Sequence, residues 1–234
     1  MNFLLHRHLA HRFFQSAAAG IGAMLPDLWR MADKRVRPAL NQHDAWRALG
    51  DTDDVTRDVM RGIEHHLEAD LWFHEHDVFV SGERATAAAL REAKTTAKKL
   101  VLFAHPLWEM CLDGALVRTL GAETVRSEVA LGFEKAFDAA HAALVAHHFA
   151  LVDESEEYKS ETQYRMRWFA DELSAGPWIA GYAKPEGLVR ALTGMRRRFS
   201  LPPFLEDERE RLITAVAGLA TLADGALQTI LATR

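Results

Sequence analysis

The sequence has little that would cross-link the chain or carry it through a membrane. It contains one cysteine, Cys111, which excludes an internal disulfide framework and a zinc site of several thiolates. No apolar run approaches the ~20 residues that cross a bilayer, and the N-terminal segment differs from a signal peptide because it mixes His and Arg with apolar residues. A net charge of −5 gives no support for nucleic-acid binding. We expect a cytoplasmic protein without a membrane segment.

The alternating pattern of β-strands is also nearly absent. Apolar residues instead recur at spacings of three and four, which predicts an all-α fold. No linker or repeat divides the 234 residues, so we expect a single-domain helical bundle over 1–234. A surface loop is expected over 34–43, and the predicted helices cover 3–15 (or an extended segment), a stretch from Ser16 to Pro26, 44–49, 53–76, 83–93, a segment ending near Gly121, 122–150, 156–174, 178–183, a segment from Pro185, and 204–231.

One segment, GIEHHLEADLWFHEHDVF, carries the clearest chemical pattern. His66, Asp70 and His74 are four residues apart and form a stripe along one side of a helix. The stripe continues the apolar face made by Val55, Val59 and Ile63. These polar groups are therefore expected to point inward, where they need partners. Imidazole and carboxylate groups are metal ligands, so the stripe predicts a metal site.

A second segment repeats the spacing with His105, Glu109 and Asp113. Two such stripes that face each other would enclose a metal, and nitrogen and oxygen ligands without thiolate suit Mn, Fe or Zn. With His6 and Asp27 the candidate ligands exceed those of one tetrahedral ion, so either the site is dinuclear or some of these residues orient the ligands. The alternative is a pair of hydrogen-bonded polar networks in the core.

Other polar residues give weaker signals. Arg196, Arg197 and Arg198 form the only compact basic run, which is a candidate site for a substrate phosphate or for an acidic partner, although such runs are usually solvated. Four histidines outside the stripes are expected to be surface or helix-capping residues, namely His65, His76, His147 and His148.

Several blocks of the sequence resemble, in order, the acyl-carrier-protein phosphodiesterases, also called holo-acyl-carrier-protein hydrolases. The opening MNFLLHRHLA is similar to the family's MNFLAHLHLA, which places His6 and His8 on its N-terminal histidines. GAMLPDL resembles the family's GNLLADF, which places Asp27 on an important acidic residue. The segment EGLVRALTGMRRRF matches more loosely.

Two further blocks that resemble the family overlap the two stripes. GIEHHLEAD is similar to GIHMHRRID and carries over His66 and Asp70, while LVLFAHPLW aligns with LDVMWDHFL and carries over His105. The chain departs from the family at His74, where an acid is expected, at Ala104, where the Asp of an Asp-His pair is expected, and at Leu67 in place of an arginine. These departures change the metal coordination and a phosphate contact.

The resemblance implies a helical fold related to the divergent HD-type metal-dependent phosphohydrolases. It implies release of phosphopantetheine from an acyl carrier protein, with a divalent metal such as manganese and with Asp27, Asp70 and His105 in catalysis. We therefore expect a metal-dependent phosphodiester hydrolase. Two alternatives stay open at this point, a non-catalytic helical protein stabilised by a metal or polar network and a carrier-protein-binding module without activity.

Overall fold

The computed structural model describes residues 3–33, 35–36, 53–144 and 155–233. Within these ranges the structure is helical and contains no strand, which confirms the all-α prediction. The eleven α-helices of the described residues are α1 (Phe3–Phe14), α2 (Ala17–Gly22), α3 (Leu25–Ala32), α4 (Asp54–Glu75), α5 (Asp77–Glu92), α6 (Ala104–Leu120), α7 (Ala122–Leu144), α8 (Glu156–Ala175), α9 (Trp178–Tyr182), α10 (Pro185–Arg198) and α11 (Glu206–Thr233), and a 3-10 turn covers Leu100–Phe103.

Some predicted elements fall on residues that are not described. The helix expected over 44–49 lies outside the described residues, as does most of the loop expected over 34–43. The same holds for the last part of the helix expected over 122–150, together with His147 and His148. These expectations stay predictions.

Several helices begin next to a polar capping residue, at positions that the sequence predicts. Ser16 Oγ accepts a hydrogen bond from the Ala19 backbone N–H at 3.2 Å, and Asp53 accepts one from the Thr56 N–H at 2.8 Å. The fifth helix begins at Asp77 rather than near residue 83, because the His76 ring accepts a hydrogen bond from the Val78 N–H at 3.2 Å. A capping role for His76 is thereby confirmed.

The described chain forms two compact units. The N-terminal unit contains residues 3–72 and 126–176, and the C-terminal unit contains residues 73–125 and 177–233. The long helices α4 and α7 therefore contribute residues to both units. The single domain expected over 1–234 stays a prediction.

In the N-terminal unit, α2 and α4 approach so closely that their backbones touch. A Cβ atom added to Gly62 would overlap the Ala19 carbonyl oxygen and lie 2.8 Å from the Ala23 nitrogen. A Cβ atom on Gly22 would likewise overlap the Val59 carbonyl oxygen. Glycine at both positions thus permits the contact, which brings the end of α2 against the turn of α4 that carries His66.

In the C-terminal unit, α6 is the central helix and packs against α5, α9 and α11. Its residues from Leu107 to Val117 are buried without interruption, including the charged residues Glu109 and Asp113. The Trp108 ring covers Gly82 of α5, where an added Cβ atom would collide with the indole. A polar group that faces inward on α6 is therefore enclosed by neighbouring helices.

Among the residues that the structure describes, two helical segments are long and apolar enough to cross a membrane by length and composition. In the first, Leu100–Leu120, 78% of the tested window is buried inside the protein, as in the core helix of a soluble protein. In the second, Glu206–Thr233, 33% of the window is buried. Such helices are weak evidence for a membrane segment, and the cytoplasmic location stays a prediction.

Candidate metal centres

The structure separates the predicted ligands into two groups of three. The His6 cluster consists of His6, His66 and Asp70, and the His105 cluster consists of His74, His105 and Glu109. In each cluster, one potential ligand atom from every residue lies within 4.8 Å of the others. One cluster belongs to each unit. The predicted stripe on α4 is therefore divided, because His74 joins the residues of α6 rather than His66 and Asp70.

Hydrogen bonding defines the orientation of His66 in the His6 cluster. His66 Nδ1 lies 2.8 Å from the carbonyl oxygen of Ala23 at the end of α2. Since a carbonyl oxygen only accepts hydrogen bonds, Nδ1 carries the proton and Nε2 keeps its lone pair. The His6 and His66 rings pack with centroids 4.0 Å apart, and His6 Nε2 lies 3.7 Å from Asp70 Oδ1.

The surroundings of the His6 cluster keep His66 neutral. The pKa of His66 is lowered from 6.5 to about 4, mainly by burial and in part by the neighbouring His6, while Asp27 and Asp70 act in the opposite direction. A neutral imidazole is the form that binds metals. The Asp70 side chain is 36% exposed, so the cluster opens to solvent on its side.

The His105 cluster is built around a buried carboxylate. His105 and Glu109 lie one turn apart on α6, and His74 lies in the last turn of α4. Glu109 Oε1 is 3.3 Å from His105 Nε2 and 3.4 Å from His74 Nε2. The ring centroids of the two histidines are 4.7 Å apart, and the Phe79 ring packs against both.

Electrostatics favour a negative charge on Glu109. Burial raises the pKa of Glu109, yet the pKa lies well below its usual range because neighbouring groups favour the anion, among them the rings of His105 and His74 that hydrogen-bond to it. The hydrogen bond that the His105 ring donates to Glu109 is the main reason why the pKa of His105 is raised. A metal ion in this cluster would take the place of that proton.

Two groups near the clusters were not singled out in the sequence. Glu83 of α5 places Oε2 3.7 Å from His105 Nδ1, on the ring nitrogen that does not face Glu109. Glu83 lies outside both stripes, and no spacing rule connects it to His105. The Ala23 carbonyl that holds His66 is a backbone group, which leaves no signal in the side-chain pattern.

The other predicted ligands lie apart from these groups of three. Asp113 is fully buried on α6 and belongs to neither cluster. Asp27 lies in the first turn of α3 and acts on His66 through its charge. His65 is one of the four histidines that were expected at the surface or at helix caps. Its ring contacts the rings of Phe13 and Phe14.

The basic run on α10 consists of one buried arginine, Arg196, and two exposed arginines. Arg196 is 1% exposed, and its two terminal nitrogens donate hydrogen bonds to the carbonyls of Lys98 at 3.1 Å and Pro202 at 3.0 Å. Its guanidinium also stacks on the ring of Phe204. These contacts hold Arg196 within the fold, and the expectation of a phosphate site at the basic run stays a prediction. Arg197 and Arg198 are exposed.

Replacement of Arg196 should therefore affect stability. We expect Arg196→Ala to lower the free energy of unfolding by about 2 kcal/mol, because the buried side chain and its two hydrogen bonds to backbone carbonyls are lost. Arg197→Ala, at an exposed neighbouring position, is the matched control and should change it by less than about 0.5 kcal/mol. Urea unfolding of both variants measures the difference. Equal stabilities would contradict a structural role for Arg196.

Both clusters combine imidazole with carboxylate and could hold a divalent metal ion. Neither contains a thiolate, since Cys111 is buried elsewhere on α6 and burial raises its pKa to about 12. Comparisons of this chain with protein-family models, with curated proteins and with solved structures find no match.

Proposed function

We propose that this protein is a metal-dependent phosphodiester hydrolase and that His6, His66 and Asp70 hold its metal ion. The observation that carries this proposal is the hydrogen bond from His66 Nδ1 to the Ala23 carbonyl at 2.8 Å. Metal-binding histidines usually donate their second ring nitrogen to such an acceptor, which fixes the ring and leaves the other nitrogen for the metal. The lowered pKa of His66 supports the same assignment.

The residues of the His6 cluster suit hydrolysis of a phosphodiester. A divalent ion held here would lower the pKa of a bound water and neutralise charge on a phosphoryl oxygen. The Asp70 side chain is partly exposed, so a substrate can approach the cluster from the side on which Asp70 lies. Asp27 is the candidate for a further ligand or for the group that takes a proton from water, because its charge reaches His66.

The substrate and metal proposed here rest on the family resemblance. It favours manganese, whereas the donor atoms also suit iron and zinc. It favours release of phosphopantetheine from holo acyl carrier protein, which would make that carrier protein the partner. The resemblance also carries over His105 as a catalytic residue, whereas we assign His105 to the other cluster because it contacts Glu109.

Hydrolysis can be measured with bis(p-nitrophenyl) phosphate and with holo acyl carrier protein, whose loss of phosphopantetheine is read by mass spectrometry. We expect turnover with Mn²⁺, no turnover in excess chelator, and a loss of about 100-fold or more in His66→Gln. His141→Gln, the same substitution on a histidine outside both clusters, should retain activity. Metal binding without hydrolysis of either substrate would contradict the proposal.

The burial of the two histidines favours a second candidate function. His6 and His66 are 3% and 4% exposed, as residues that support a fold often are. In this case the metal would stabilise a non-catalytic helical protein. Chelation would then lower the melting temperature of the wild type, with no turnover on either substrate at any metal concentration.

A further inference from the structure

We propose that the His105 cluster is a second, separate metal site, which takes Zn²⁺ or a transition-metal cation of similar size. Its ligand atoms are His74 Nε2, His105 Nε2 and Glu109 Oε1, and Glu83 is a positioning residue for His105. This proposal goes beyond the hydrolase function, which uses only the His6 cluster. The proposal of a second metal site and the proposal of a hydrolase can therefore be disproved independently.

The spacing of the ligand atoms fits a tetrahedral cation. With metal–ligand distances of roughly 2.0–2.1 Å, two ligands of a tetrahedral zinc lie about 3.3–3.4 Å from each other. Glu109 Oε1 lies 3.3 Å from His105 Nε2 and 3.4 Å from His74 Nε2. Charge-assisted N–H···O bonds are shorter, at about 2.7–2.9 Å. The separations are longer than those of charge-assisted hydrogen bonds and match the spacing between two ligands of a tetrahedral ion.

The donor atoms and their exposure indicate the class of cation. Two imidazoles and one carboxylate suit zinc and its neighbours, whereas Mg²⁺ and Ca²⁺ prefer oxygen ligands. Three protein ligands leave a tetrahedral ion with one coordination position for water, as in catalytic rather than structural zinc sites. The His74 and His105 side chains are 33% and 39% exposed, so an ion can enter from solvent although Glu109 is buried.

Neighbouring side chains hold the ligands in place before an ion binds. Phe79 packs against the His74 ring at 4.9 Å and the His105 ring at 5.0 Å between centroids. Glu83 Oε2, at 3.7 Å from His105 Nδ1, lies on the nitrogen that the cation would not use. A carboxylate in this position favours the ring orientation in which Nε2 faces Glu109.

Cobalt titration of the metal-stripped full-length protein tests the site. Co²⁺ replaces zinc in such sites, and its visible absorption reports tetrahedral coordination. We expect one equivalent bound with tetrahedral absorption that is lost in Glu109→Gln and His105→Gln but kept in His66→Gln. His141→Gln is the matched control and should bind as the wild type does. Glu83→Gln should keep the stoichiometry and weaken binding about tenfold, as expected for a residue that orients a ligand.

The hydrolysis assay and the Co²⁺ titration together distinguish this proposal from the proposed hydrolase function. If His66→Gln abolishes hydrolysis and Glu109→Gln removes the tetrahedral Co²⁺, both proposals hold. Loss of the tetrahedral Co²⁺ in Glu109→Gln together with an inactive wild type supports the second site alone. Unchanged Co²⁺ binding in folded Glu109→Gln and His105→Gln overturns the second site.

A measurement on the wild type covers the case in which those variants do not fold. Zinc titration of protein labelled with ¹⁵N-histidine follows the ring nitrogens directly. The site requires that the Nε2 signals of His74 and His105 move together with added zinc. Signals of these two rings that do not respond to zinc overturn the proposal.

Discussion

Gly62→Ala should lower the free energy of unfolding by about 3 kcal/mol or more. The added methyl group would overlap the Ala19 carbonyl oxygen and lie 2.8 Å from the Ala23 nitrogen. These atoms belong to the backbone of α2, so a side chain cannot move aside and the two helices must separate. Overpacking of this kind costs roughly 1–3 kcal/mol and sometimes more. Urea unfolding in the presence of chelator measures the change.

Gly218→Ala is the matched control for this prediction. Gly218 lies within α11, and nothing occupies the space within 4 Å of an added Cβ atom. The same substitution should therefore stabilise the protein by up to about 1 kcal/mol, because alanine favours a helix more than glycine does. Two variants of equal stability would show that the contact of α2 with α4 does not determine the effect.

The metal-free protein should lose stability in mild acid because of His66. The pKa of His66 is about 4 in the folded protein and 6.5 when unperturbed, mainly because of burial. The unfolded chain therefore takes up this proton first as the pH falls. The resulting stability is present above pH 6.5 and is lost towards pH 4, by up to about 3 kcal/mol. Unfolding curves recorded with chelator across this range measure the loss.

The variant His66→Gln isolates this contribution. Glutamine can still donate to the Ala23 carbonyl but does not titrate. The comparison is needed because burial, with a contribution from Arg12, also lowers the pKa of His8 to about 4. The stability difference between wild type and variant should shrink as the pH falls from 6.5 to 4. Parallel curves would show that His66 is not buried in neutral form.

Local patterns in the sequence predicted most of the described helices, but not α3 (Leu25–Ala32), since a single helix was expected from Ser16 to Pro26 where the structure has α2 and α3. Apolar spacing predicted the all-α fold, and Ser16 and Asp53 marked helix starts because their side chains accept backbone hydrogen bonds nearby. The start of α5 was missed because the cap is a histidine, His76, rather than a usual capping residue. Such signals act within a few residues, so they can be read without knowledge of the tertiary contacts.

Which residues form each cluster depends on contacts between residues that are far apart in the sequence. Local spacing could therefore not predict it. A step of four residues turns a helix by about 400°, so His74 is rotated by roughly 80° from His66 around α4. That drift is sufficient for His74 to meet a different neighbour, in this case Glu109. Glu83 reaches His105 only through the packing of α5 on α6, which no spacing in the sequence encodes.

The sequence separation of the proposed ligands has a consequence for folding. An ion shared by His6 and His66 would close a loop of about 60 residues, and one shared by His74 and His105 would close a loop of about 30. Such closures reduce the conformational entropy of the unfolded chain, as disulfide bonds do. In a chain with a single cysteine, which cannot form an internal disulfide, a bound metal ion would supply such a cross-link, and the free metal concentration would determine how much it stabilises the folded protein.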